Sequence, residues 1–173
     1  MKTVYLLLVA LTLSACGTMQ SIVKSSFPYT ATLTISHTAD VNKEYSAMST
    51  ANSFDQNFAK GGNDAAHVNA VRIISAKLQS TDPSDFNIGQ LALVQGYVSK
   101  IDGKDEEMVA SRKDINPTIG NSLVLDIDNT HFLDEIVRQP NVRVRLVYKL
   151  RNAIHTDVKL HLVMNIAAYP NGQ

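Results

Sequence analysis

Beyond residue 28 the chain alternates apolar and polar side chains with a period of two, in one stretch after another. In residues 29–37, Tyr29, Ala31, Leu33 and Ile35 face one way and Thr30, Thr32, Thr34 and Ser36 the other. That is the pattern of a half-buried strand, and the threonines read as the wet side of an edge strand. Residues 68–78 alternate less cleanly, with Val68, Ala70, Ile74 and Leu78 on one side and Val71 and Ile73 on the other. Apolarity on two sides predicts a central strand, with Val71 and Ile73 against a covering loop or a partner. Residues 91–101 and 107–112 flank Asp102-Gly103, a hairpin signal because both turn residues tolerate positive φ. Residues 122–128 read as a further strand.

Residues 130–139 change period. Phe132, Leu133, Ile136 and Val137 fall at helical spacing before Pro140, predicting one short helix. Two long strands follow. Val142, Val144, Leu146, Tyr148 and Leu150 make one apolar face, and Val158, Leu160, Leu162, Met164 and Ile166 the next. The polar link 151–157 between them predicts an antiparallel hairpin. Residues 39–67 are the least legible, with Phe54 and Phe58 expected as core anchors and Gly61-Gly62 as a loop. About seven strands and one short helix predict an all-β fold, an antiparallel β-sandwich or partly closed barrel over residues 29–173. Loop insertions are expected around residues 50–66 and 80–90.

Composition supports one packed domain: 173 residues, 45% hydrophobic and 18% charged. Sixteen Lys+Arg balance sixteen Asp+Glu, which excludes a globally basic nucleic-acid binder. The single cysteine permits neither an intramolecular disulfide nor a thiolate zinc cluster.

The first residues read as an address. Met1 and Lys2 precede an apolar run from Val4 to Leu13, about ten residues and half of what a membrane-spanning helix needs. The run ends in Leu13-Ser14-Ala15-Cys16, which resembles the lipobox of bacterial lipoproteins. That resemblance implies a signal peptide over residues 1–15, cleavage before Cys16 and acylation of its thiol and new N-terminus. Gly17 is not the aspartate that retains such proteins at the inner membrane, so the resemblance favours outer-membrane anchoring. No acidic run follows Cys16, which points to a periplasm-facing domain. Residues 16–28 form the lipidated cysteine and a polar tether; its eleven residues 17–27 would reach at most about 35–40 Å.

Candidate chemistry is sparse. Leu123-Val124-Leu125-Asp126-Ile127-Asp128-Asn129-Thr130 resembles motif one of haloacid-dehalogenase phosphatases, where the first aspartate is the nucleophile and the second an acid/base beside magnesium. The motif normally opens an α/β domain, yet little chain follows it here and that chain is mostly β. No later acidic pair completes a magnesium site. An alternating strand whose final aspartate caps a helix accounts for the same residues.

His37, His67, His131, His155 and His161 are scattered. His155 and His161 lie about 20 Å apart along an extended strand, too far for one zinc ion, and read as solvent-facing. Residues 102–107 lack the ligand spacing of an EF-hand and read as a charged hairpin tip. There is no nucleophile elbow, phosphate-binding Walker loop or dinucleotide fingerprint. No catalytic residue, metal ligand or cofactor is expected.

One feature does suggest a partner. Arg143, Arg145, Lys149 and Arg151 fall on the odd face of one strand, and Lys159 and His161 on the matching face of the next. Such a ladder would meet an envelope protein, an anionic lipid or an acidic glycan, or merely keep a sheet face solvated. The expected protein is therefore a membrane-tethered, non-catalytic binding or scaffolding module that does not bind nucleic acid. A small-ligand carrier for lipid or glycan is the alternative, and an envelope hydrolase a weaker one.

Overall fold

The computed structural model describes residues 25–52, 68–138 and 141–170. Eight antiparallel strands run in chain order: β1 (Ser25–Ile35), β2 (Glu44–Asn52), β3 (Val68–Asp82), β4 (Leu91–Lys100), β5 (Glu107–Lys113), β6 (Ser122–Ile127), β7 (Asn141–Leu150) and β8 (Val158–Pro170). A 3-10 turn (Ile88–Gln90) precedes β4, and the one α-helix among the described residues, α1, is one turn long (Asp134–Val137). The fold is all-β, as the alternation predicts. The strands form one sheet in the order β1-β8-β3-β6-β5-β4-β7-β2. It curls into two four-stranded halves joined by only two residue pairs, Ala110 with Ile127 and Ser111 with Asp126.

Each half turns its alternate apolar residues inward. Leu33, Ile35, Leu78, Leu160 and Leu162 from one half meet Leu91, Val144, Leu146 and Leu150 from the other, all fully buried. On the open side, Tyr148 of β7 helps hold the halves together. Its hydroxyl accepts the amide of Ser36 just past β1, and its ring stacks on Tyr45 of β2 at 6.1 Å.

Four expectations are corrected. β7 and β8 do not form a hairpin: β7 lies between β2 and β4, and β8 between β1 and β3. Long, uniformly apolar faces belong to central strands, and each half has one, so the link 151–157 crosses between halves. In β3, Ile74 is exposed while Val71, Ile73, Ala76 and Leu78 are all buried. Register shifts between Asn69 and Arg72 and between Ile73 and Ser75 mark bulges, which switch the inward parity partway along the strand. The apparent two-sided apolarity is one face shifted by a residue, and Val71 and Ile73 are core.

The helix is shorter than the spacing predicts. Asp128 accepts from the amide and hydroxyl of Thr130, closing a tight turn rather than capping α1. The amide of Leu133 goes to the carbonyl of Val71 instead of a helical partner, and Phe132 is left outside the core. Finally, β1 begins at Ser25, paired with Ala168, within the stretch assigned to the tether. Backbone pairing with β8 holds those residues whatever their side chains offer.

β2 is a strand that the pattern did not reveal. Phe54, Phe58, Gly61-Gly62, His67, Cys16 and tether residues 17–24 lie outside the described residues. The Asp102-Gly103 hairpin is present. β4 and β5 pair around it, Gly103 has φ +83°, and its amide donates to the carbonyl of Lys100 at 2.8 Å.

Candidate functional site

The outward residues of β7 lie between β2 and β4, so register alone assembles their surroundings. Arg145 stands opposite Met48 of β2 and Tyr97 of β4, and Tyr97 stands opposite Met108 of β5. One row across the outer face therefore reads Met48, Arg145, Tyr97, Met108. The guanidinium of Arg145 lies 4.3 Å from the centre of the Tyr97 ring. It also forks onto Glu106 from the hairpin tip, Nε donating to Oε1 at 2.8 Å and Nη2 to Oε2. That hydrogen bond holds the Glu106 carboxyl below its usual range, and burial opposes it only in part.

One pair along, Arg143 stands opposite Thr50 and Ser99. Its Nη2 donates to the Met48 thioether at 2.8 Å, while its Nε is buried with no partner. A Cβ on Gly103 would come within 2.6 Å of Nη1, so glycine there serves both the positive φ and the guanidinium. Met48 itself is 59% exposed.

At the other end of β7, Lys149 stands opposite Glu44 and Leu93, and Leu93 stands opposite Lys113. The two lysines border an open groove of about 360 Å³ over Leu93, which Glu44 and Asp114 also line. Neither lysine makes an ion pair among the described residues.

Arg151 behaves differently. Its Nη1 donates to the carbonyl of Gly89 at 3.0 Å and its Nη2 to that of Ile115 at 2.6 Å, while its amide donates to the carbonyl of Gln90. It ties the 3-10 turn to the β5–β6 connection. The structure thus brings Arg143, Arg145 and Lys149 onto one outer face and turns Arg151 to the backbone. Lys159 and His161 belong to the other half, where Lys159 pairs with Asp82 at 2.8 Å and His161 lies 3.4 Å from the Thr32 hydroxyl.

Met48, Tyr97 and Met108, which carry no signal of their own in the sequence, complete the face together with Glu106 of the charged hairpin tip. Tyr97 shares odd parity with the β7 cations only once β4 is known to pair with β7, and Met48 lies in the least legible stretch.

The remaining candidates take local partners. Asp126 pairs with Arg112 at 2.8 Å. Asp128 is held below the usual carboxylate range by the Thr130 hydroxyl and then its amide. His37 pairs with Asp157 and His131 with Glu107, each at 2.7 Å. At the hairpin tip Lys100 pairs with Asp105 and Lys104 with Asp102. Among the described residues no three histidine, cysteine or acidic side chains gather closely enough to hold a metal ion. A second open groove, about 470 Å³, lies between the 3-10 turn and the β7–β8 link, lined by Phe86, Gln90, Asn152, Ile154 and His155. No helix of the described residues is long and apolar enough to cross a membrane. Neither a protein-family model nor a curated protein matches this chain.

Proposed function

We propose that this chain is a lipoprotein held to the outer membrane through Cys16, whose β domain is a non-catalytic binding or scaffolding module. The outer face of β7 is its contact surface for an envelope partner. One observation carries the surface: the row Met48, Arg145, Tyr97, Met108, with Arg143 beside it. An exposed thioether beside half-buried aromatic, thioether and guanidinium side chains brings together residue types enriched where proteins meet. Arg143 adds a second guanidinium beside the row, its Nη2 donating to the Met48 thioether.

The test is in-cell crosslinking from position 48 in the full chain, with Arg143→Glu and Cys16→Ser alongside. A single protein partner captured by the parent chain and lost with Arg143→Glu supports the face. Cys16→Ser should lose acyl mass and move the protein to the soluble fraction. Retention at the membrane without acylation would refute the anchor, and partner capture indifferent to Arg143 would refute the face. The groove beside Phe86 favours a second reading, since its volume falls in the range of small-molecule sites. Recovery of a bound lipid or glycan displaced by Phe86→Asp would put that carrier reading first.

A further inference from the structure

The chain enters the described domain at one end of the curled sheet. Residue 24 leads directly into β1, whose first residues Ser25 and Ser26 pair with Ala168 and Ala167, and Ala167 pairs in turn with Arg72. The start of β3, the end of β8 and the start of β1 therefore share one end. β6 runs down to the same end, and the loop after it folds back onto β3: the amide of Leu133 donates to Val71, and Phe132 lies under the guanidinium of Arg72 at 4.3 Å. His131 reaches across to Glu107 at the foot of β5, so the β4–β5 hairpin tip belongs to this end as well.

Large apolar side chains are exposed here. Phe132 in the loop and Ile101 at the hairpin tip are each 52% exposed, and Ile127 and Ile74 lie nearby in β6 and β3. At the opposite end Val41 and Ile119 are 37% and 39% exposed, and Val124, 64% exposed, stands on the outer side of β6 two residues from its start. Among the described residues of this end, Lys100 pairs with Asp105, Lys104 with Asp102 and Arg138 with Glu135, while Arg72 lies over Phe132.

Cys16 stands nine residues before Ser25, at most about 30 Å even fully extended. The domain's strands are themselves about 30 Å long. An anchor at Cys16 would thus hold the entry end within about one strand length of the bilayer. We propose that the entry end seats on the phospholipid surface, with Phe132 and Ile101 as two apolar tips dipping into the boundary between headgroups and acyl chains. This rests on the lipidation reading above. Confinement by the anchor raises the local concentration of lipid at this end, so two modest tips suffice where a free domain would not bind. The seating leaves the outer face of β7 at the side of the domain, open to a partner.

The chain contains no tryptophan, so a single introduced indole reports its own surroundings. Full-length lipidated Phe132→Trp, Ile101→Trp and, at the far end, Ile119→Trp are to be reconstituted on phosphatidylcholine vesicles carrying brominated acyl chains. Emission from positions 132 and 101 should shift to the blue and be quenched about twofold relative to unbrominated vesicles, while position 119 stays unquenched. If flotation and intact mass show acylated, vesicle-bound protein yet positions 132 and 101 are quenched no more than 119, the seating is overturned and the anchor stands. If Cys16 carries no acyl groups, the anchor fails and the seating with it.

Discussion

At the scale of single residues, the Arg145–Glu106 fork shows how much of this surface is built rather than scattered. Both side chains are about three-quarters covered, at 24% and 27% exposure. The two hydrogen bonds also fix a planar guanidinium over Tyr97, which a lysine could not do. A partly covered, bidentate pair belongs near the upper end of what surface ion pairs contribute, about 1 kcal/mol. Glu106→Gln should lose roughly that at neutral pH.

The sign with pH follows from the direction of the shift. Arg145 lowers the folded-state pKa of Glu106, so its contribution is complete above the unfolded carboxylate value of about 4.3 and disappears as pH falls through the depressed folded value. Urea unfolding of parent and Glu106→Gln should therefore differ by a constant amount above about pH 5 and converge at lower pH. A difference unchanged down to pH 2 would mean that the carboxylate charge contributes nothing there.

At the scale of elements, alternation located seven of the eight strands because those strands have one buried and one wet face. β2 escaped for a physical reason: after Tyr45 its inward residues are Ala47, Ser49 and Ala51, while Met48 faces out. Small inward side chains and an outward methionine leave little hydropathy contrast. Pairing was less legible than existence. The odd-face cations of β7 were visible in the sequence, but their neighbours Met48, Tyr97 and Glu106 depend on which strands adjoin β7, and chain order pointed to β8. The Lys159 and His161 rungs were misplaced for the same reason.

Cysteine pairs separate the two arrangements directly. Thr34 and Lys159 are opposite one another on the exposed face of β1 and β8. Opposed Cα atoms in antiparallel strands lie about 4.5–5.5 Å apart, within disulfide reach. In a Cys16→Ser background, Thr34→Cys with Lys159→Cys should oxidise to an intramolecular disulfide, whereas Lys149→Cys with Lys159→Cys should remain reduced. A ready disulfide in the second pair would restore the β7–β8 hairpin and displace the topology described.

At the scale of the whole molecule, the two halves are held together less by hydrogen bonds than by the core between them. Only two residue pairs of β5 and β6 continue the sheet from one half to the other. The contact that matters runs through the interior. Leu162 of β8 reaches across to Gly96 of β4, where a Cβ would stand in ordinary van der Waals contact with its Cδ2 at 4.0 Å. A half alone would expose its apolar face to water, and neither should persist when the other unfolds. Leu162→Ala removes buried atoms at this junction and should cost about 2–5 kcal/mol, the range for truncating a buried leucine. The signature of a shared core is in the shape of the transition as well as its midpoint. Loss of β-structure by circular dichroism and of tyrosine fluorescence, reporting Tyr29 in one half and Tyr97 and Tyr148 in the other, should coincide. The urea midpoint should fall while the slope stays unchanged. Two separated transitions in Leu162→Ala would instead mean that each half holds a core of its own, and that Leu162 only fastens one to the other.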